Sequence, residues 1–139
     1  MRFLLDTNVC IEILRGRNTA LKERLVLAGL DQLRLCSIVW AELHCGAYLL
    51  ANPAQEINRI ETAFSGWPRL PFDDAAARRY GEIRARLQRT GRLIGANDLL
   101  IAATALANDL ILITHNTDEF KRVESLVLED WEAESRSSE

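Results

Sequence analysis

The chain has too few soft metal-binding side chains to build a zinc centre. Its three cysteines, Cys10, Cys36 and Cys45, are odd in number and lack a Cys-x-x-Cys spacing, and only His44 and His115 could join them. That excludes a structural zinc site and a disulfide framework. All three thiols are therefore expected to be reduced and to pack in the interior as small apolar groups. Long hydrophobic runs are also missing, and nothing approaches the roughly 20 apolar residues of a membrane span. An apolar segment follows Met1-Arg2 directly, without the charged region, apolar stretch and cleavage site of a secretory signal. Cytoplasmic residence is the expectation. There is no internal repeat and no low-complexity segment, and Lys22 and Lys121 are the only lysines.

What is present suits an ordinary soluble domain. The 139 residues are 48% hydrophobic and 27% charged, which argues against disorder and fits one core. Residues 1–131 are expected to form that domain, with 132–139 as a frayed acidic tail. The net charge of −3 is unpromising for a nucleic-acid binder until the charges are located. Five of the 20 acids but one of the 17 bases lie from Glu129 onward, so the preceding body is slightly positive. Arginines concentrate at Arg78, Arg79, Arg84, Arg86, Arg89 and Arg92. They suit phosphate contact, or a solvated helix face with Asp73, Asp74 and Glu82 as local partners.

Apolar runs predict strands at 3–5, 33–36, 110–113 and 126–128, with a weaker one at 69–72. Helical patterns fill the intervals at 8–14, 19–28, 38–50, 53–64, 73–88 and 97–107, with a short one near 118–122. Strands alternating with helices imply an α/β fold with a parallel sheet covered on both faces.

Three carboxylates stand out against apolar surroundings. Asp6 ends the first strand, where open α/β sheets build ligand sites, although an Asp can simply start a turn. Thr7 and Asn8 can cap the helix that follows. Glu42 falls at the edge of a stripe formed by Val39, Leu43, Gly46 and Leu50, where an unpaired buried carboxylate needs a cation or a shifted pKa, unless it swings to solvent or pairs with an arginine. Gly46 would let another backbone approach there. Asn97-Asp98 opens a helix that is apolar nearly all round, and either residue could serve as its cap. Thr114, Asn116 and Asp118 follow the fourth strand and could orient a water or ligand, or act as turn residues. Gathered by one parallel sheet, Asp6, Glu42 and Asp98 require a metal. Oxygen donors without a Cys or His set select Mg²⁺ or Mn²⁺, and the chemistry such ions support includes phosphodiester hydrolysis.

These residues resemble a known family: Leu4-Leu5-Asp6-Thr7-Asn8, Ser37 with Ala41-Glu42-Leu43 and Gly46-Ala47, Gly95-Ala96-Asn97-Asp98-Leu99-Leu100-Ile101-Ala102-Ala103, and Thr114-His115-Asn116. The chain is similar to PIN-domain ribonucleases, specifically VapC-type toxins of bacterial toxin–antitoxin pairs, from Arg2 to about Trp131. The resemblance implies a three-layer fold with a parallel sheet of about five strands. It implies Mg²⁺- or Mn²⁺-dependent endonucleolytic cleavage of RNA, with structured tRNA a frequent target. Asp6, Glu42 and Asp98 would be catalytic, with Asp6 and Asp98 holding the ion and Thr7, Asn8, Asn97, Thr114 and Asn116 in support. Many relatives carry a fourth acid where Asn116 stands, which leaves the number of metal ions open. A homodimer and a cognate DNA-binding antitoxin are further implications. The helices spanning Ile11 to Leu27 and Ile57 to Phe64 are the candidates for the antitoxin groove, with plain core as the alternative reading.

Two other classes are weighed beside it. A non-catalytic RNA-binding module would use the arginines and not the acids. A Mg²⁺-dependent aspartate phosphotransfer domain would favour a second acid two residues after the first, where this chain has Asn8, or a lysine after a late strand.

Overall fold

Short apolar segments become strands, and the sheet grows outward from the first of them. In the computed structural model, which describes residues 2–133, β1 (Phe3–Leu5) and β2 (Leu33–Cys36) pair in parallel, with Phe3 opposite Leu33. On its other edge β1 pairs in parallel with the strand Ile111–Ile113, with Leu5 opposite Ile113. In chain order the strands are β1, β2, β3 (Arg69–Leu70), β4 (Ile111–Ile113) and β5 (Leu128–Glu129). Across the sheet the order is β3-β2-β1-β4-β5, and every pairing is parallel. The central strands are apolar without alternation because helices cover both faces: Leu4, Leu5, Leu112 and Ile113 are fully buried.

Among the described residues seven α-helices flank the sheet: α1 (Thr7–Arg15), α2 (Thr19–Ala28), α3 (Ser37–Tyr48), α4 (Pro53–Ala63), α5 (Asp74–Arg89), α6 (Ala96–Ala107) and α7 (Thr117–Phe120). Their ends follow local chemistry. Pro53 starts α4 behind the Asn52 cap, whose side chain accepts from Gln55 N–H. Gly29 and Gly91 adopt the positive φ that ends a helix without Cβ strain. None of the described helices is long and apolar enough to cross a membrane. Of the expected tail at 132–139, residues 134–139 lie outside the described residues.

Several expectations need correction. The last strand is Leu128–Glu129, not 126–128. Leu112 N–H bonds Val127 O at 2.9 Å and Thr114 N–H bonds Glu129 O at 3.0 Å, which sets the register while the Val127 side chain stays 56% exposed. The buried stripe of α3 is Val39, Leu43 and Ala47, one helical turn apart. Gly46 and Leu50 face outward, and nothing lies within 4 Å of where a Gly46 Cβ would stand, so no second backbone approaches it. Cys10 and Cys36 are buried as expected, but Cys45 is exposed.

The arginines of α5 are partly committed. Arg79 pairs with Glu82 at 3.7 Å and Arg86 with Glu124. Asp73 is not an ion-pair partner but the cap of α5, accepting Ala76 N–H at 3.0 Å. Arg78, Arg89 and Arg92 have no ion pair among the described residues.

Candidate active site

The sheet order reverses around β1, because the chain builds β2 and β3 to one side and then returns to build β4 and β5 on the other. A crevice opens at the carboxyl ends of the strands at such a point. Asp6 sits there, 4% exposed, and its N–H extends the ladder to Ile113 O at 3.1 Å. Its side chain does the work expected of Thr7 or Asn8. Asp6 Oδ1 accepts Val9 N–H at 2.9 Å, so Asp6 is itself the N-cap of α1 and Thr7 and Asn8 are helical residues. The geometry explains the shift, since a short carboxylate just before a helix reaches the amide three residues on. Burial pushes the Asp6 carboxyl above its usual range, with Glu42 adding to the push, while bonds from Thr114 and Val9 and the nearby His115 oppose it.

Thr7 and Asn97 serve Glu42. The Thr7 hydroxyl donates to Glu42 Oε1, and Asn97 Nδ2 donates to Glu42 Oε2 at 3.1 Å. One carboxylate of α3 is thus tied to the first turns of α1 and α6. Neither Asn97 nor Asp98 caps α6, whose N-cap is Gly95 without a side-chain bond. Both lie inside the first turn. Among the described residues no donor meets the Asp98 carboxylate. Its pKa is raised to about 6, first by burial and then by the charges of Glu119, Asp6 and Glu42.

Glu119 is the residue of the candidate site that the sequence reading missed. It lies on α7, where Oε1 accepts Gly95 N–H at 2.9 Å and Oε2 accepts Asn116 Nδ2 at 2.8 Å. These bonds hold its own carboxyl below the usual range. The fourth acid therefore comes from three residues beyond Asn116, while Asp118 has a side chain 93% exposed and pairs with Lys121. Asn116 orients Glu119, and Thr114 Oγ1 accepts Asn116 N–H at 3.0 Å. An Asn three residues before a Glu at a helix start is the spacing of a capping box, and that spacing in Asn116-Thr117-Asp118-Glu119 was the available signal. Asn8 is exposed at the rim.

The arrangement brings Asp6, Glu42 and Glu119 within electrostatic reach of Asp98. No three described His, Cys, Asp or Glu side chains already converge as a finished metal cage. Glu42 and Glu119 are turned to protein donors, and Asp6 is shared with the helix cap. The donor set nevertheless fits a hard cation: oxygen ligands only, with one carboxylate lacking a donor and destabilised by three like charges. Asp6 and Asp98 are the residues that would hold it, with Glu42 and Glu119 beside them.

Replacing Glu119 by Gln removes the largest like charge acting on Asp98 and keeps an oxygen for Gly95 N–H. Asp98 is then expected to titrate measurably below its value in the unsubstituted protein, as followed by carboxyl-carbon NMR without metal. An unchanged Asp98 titration would disprove the electrostatic link.

A family model described as the PIN domain matches residues 3–126. The chain is 39% identical over 133 residues to the tRNA(fMet)-specific endonuclease VapC of Shigella flexneri, covering 94% of this chain and 98% of that protein. Its fold superposes on VapC-containing crystal structures. That of VapBC2 from Rickettsia felis, bound to a DNA fragment from its promoter, has a TM-score of 0.88 at 33% identity, covering 94% of this chain and 99% of that one. DNA-bound VapBC from Salmonella typhimurium gives 0.89 at 34% identity, covering 94% and 98%. With the acids gathered at the switch point of a five-stranded parallel sheet, the chain belongs to the PIN-domain family and, within it, to the VapC ribonucleases.

Proposed function

We propose that the protein is a Mg²⁺- or Mn²⁺-dependent endoribonuclease that acts as the toxin of a toxin–antitoxin pair, inhibiting translation by cutting structured RNA such as tRNA. The observation that carries the proposal is Asp98, a carboxyl held near pH 6 by burial and three neighbouring acids. Such repulsion is relieved when a cation is bound. A divalent ion at Asp6 and Asp98, when bound, supplies Lewis-acid polarisation of a phosphodiester and charge for its leaving oxygen.

The chain's own residues do the rest. Thr7 and Asn97 fix both oxygens of Glu42, which orients that side chain as the proton acceptor for the attacking water. Glu119 ties the loop before α6 to α7 through Gly95 and Asn116, so Asp98 is presented from a pinned helix start. Arg78, Arg89 and Arg92 remain for the RNA backbone. The intact acids speak against a module that only binds RNA.

The antitoxin would enter an open groove of about 250 Å³ between α1, α3 and α4, lined by Ile11, Leu14, Ile60 and Arg59 and ending at Glu42. Of the segments expected to form it, the early part of Ile11 to Leu27 and the middle of Ile57 to Phe64 contribute, while Phe64 is core. A second copy would cover the outward Tyr48 and Leu49 at the end of α3, which are 68% and 82% exposed.

Incubating the purified protein with total RNA in Mn²⁺, Mg²⁺ or EDTA tests the activity. Discrete internal cuts that need the metal, with tRNA among the early targets, are the expected result. Cleavage that survives EDTA, or a ladder of shortening ends, would refute a metal-dependent endonuclease.

A further inference from the structure

The sheet sets a titratable side chain on each side of Asp6. β2 and β4 are the two neighbours of β1. Glu42 lies on α3, which follows β2 directly, and His115 lies in the loop that follows β4. With strands about 4.8 Å apart, the ends of β2 and β4 stand roughly 10 Å from each other across Asp6. Both Glu42 and His115 act electrostatically on the Asp6 carboxyl, from opposite flanks and with opposite sign.

His115 is held in one orientation although its ring is 64% exposed. Asp130 follows β5, and both its oxygens are committed: Oδ1 accepts Glu132 N–H at 3.0 Å and Oδ2 meets His115 Nδ1 at 3.0 Å. A carboxylate only accepts, so Nδ1 carries a proton and donates it to Asp130. The other ring nitrogen, Nε2, has no hydrogen bond among the described residues. The ring lines an open cavity of about 380 Å³ together with Asn116, Glu12, Arg15 and Glu132. Asn116 also bonds Glu119, so this cavity borders the catalytic crevice. The bond to Asp130 and its charge raise the imidazole pKa, burial opposes the rise, and Glu132 and Asp6 add to it. From α1, Arg15 faces the cavity paired with Glu12 at 2.8 Å. So many acids disfavour a lasting grip on an RNA phosphate. They favour an imidazole that keeps its proton until an oxygen takes it.

We propose that His115, oriented by Asp130, is the general acid of the ribonuclease and gives its Nε2 proton to the leaving sugar oxygen. An in-line displacement puts the attacking and leaving oxygens on opposite sides of the phosphorus, which is the relation of Glu42 and His115 about Asp6. The water oxygen forms the new bond to phosphorus as Glu42 accepts its proton. The bond from phosphorus to the leaving oxygen breaks, the electron pair stays on that oxygen, and the proton from His115 makes it a hydroxyl. Solvent then returns a proton to His115 and takes one from Glu42. The inference rests on the ribonuclease proposal and adds a catalytic residue to it.

The test compares the unsubstituted protein with His115→Gln and Asp130→Asn in Mn²⁺, on a short RNA spanning a mapped cut and on the same RNA with sulfur in place of the leaving oxygen. The ends of the fragments identify which oxygen leaves, and sulfur leaves without needing a proton. On the oxygen substrate His115→Gln is expected to lower kcat about 100-fold or more, the scale of general acid catalysis, with KM unchanged. On the sulfur substrate it should cut as fast as the unsubstituted protein. Because the acid must hold its proton, kcat of the unsubstituted protein should fall as pH rises through the His115 pKa. Asp130→Asn removes the charge that raises this pKa, so the fall should move to lower pH. That variant keeps an oxygen for Glu132 N–H, and its pH profile decides the matter even where His115→Gln fails to fold. Full-rate cutting of the oxygen substrate by His115→Gln, an equal loss on both substrates, a raised KM at unchanged kcat, or an unmoved profile in Asp130→Asn overturns the general acid and leaves the ribonuclease standing. If the unsubstituted protein cuts neither RNA, both readings fall.

Discussion

Asp98→Asn is expected to give a folded protein that no longer cuts RNA and that, without divalent metal at pH 7.5, is more stable than the unsubstituted chain. Both effects have one cause. The Asp98 carboxyl ionises near 6 in the folded protein against 3.8 for the free side chain, because it is partly buried and faces Glu119, Asp6 and Glu42. The sign follows from linkage. An acid whose pKa is raised by folding carries no penalty below about pH 4, where both states are protonated. The penalty grows as pH rises toward 6 and is complete above it. Because Asp98 is partly solvated, screening reduces the cost to on the order of 1–2 kcal/mol. Thermal melts in EDTA should therefore show Asp98→Asn ahead by a few degrees at pH 7.5 and level with the unsubstituted protein near pH 4. Adding Mn²⁺ should reverse the ranking, since the asparagine has lost the charge that attracts the ion. Cleavage should fall on the order of 100- to 1,000-fold, the scale seen when one preorganised electrostatic group is removed from an active site. A variant that still cuts at the full rate would remove Asp98 from the chemistry. Equal melting at every pH would show that the acids do not repel one another as described.

Asp6 supports a second experiment because it is both a helix cap and a proposed metal ligand. Its Oδ1 holds Val9 N–H, and Thr114 bonds the same carboxylate. Asp6→Asn keeps an oxygen for the cap and removes the charge, so melting should be nearly unchanged or improved while cleavage is lost. Asp6→Ala removes both and leaves Val9 N–H and the Thr114 hydroxyl without their partner. That variant should lose cleavage and also about 1–2 kcal/mol of stability, read as the difference in urea midpoints between the two variants. If alanine and asparagine melt alike, the cap contributes nothing. If asparagine retains activity, the charge at Asp6 is not needed.

How far these residues could be read from the chain depended on whether their neighbours carried a pattern. Asp6 was legible because an apolar run stops at it, and Asp98 because the helix beyond is apolar nearly all round. Glu42 was found on the right helix for a partly wrong reason. The buried stripe passes through Ala47 rather than Gly46 and Leu50, and Tyr48, Leu49 and Leu50 just beyond it are exposed. Glu119 was invisible to periodicity, since α7 is a single turn and a one-turn helix has no repeat to count. Charge did not single it out either, with Asp118 beside it. Phe120, fully buried, anchors that turn and decides which neighbouring carboxylate faces Gly95 and which faces water. Strand order was equally hidden in the local patterns, because the last strand's register depends on the backbone of β4. The crossover that returns the chain past β1 is what turns four scattered acids into one cluster.

That crossover also sets a clock. Asp6 is among the first residues synthesised, whereas Glu119 arrives more than a hundred residues later. At translation rates of about 5–20 residues per second, the interval is roughly 6 to 23 seconds. Throughout it, the ribosome carries a nascent chain whose first acid has no partners from β4 and α7. Until α7 is made the chain lacks its complete set of acids, and any polypeptide aborted before α7 is born without them.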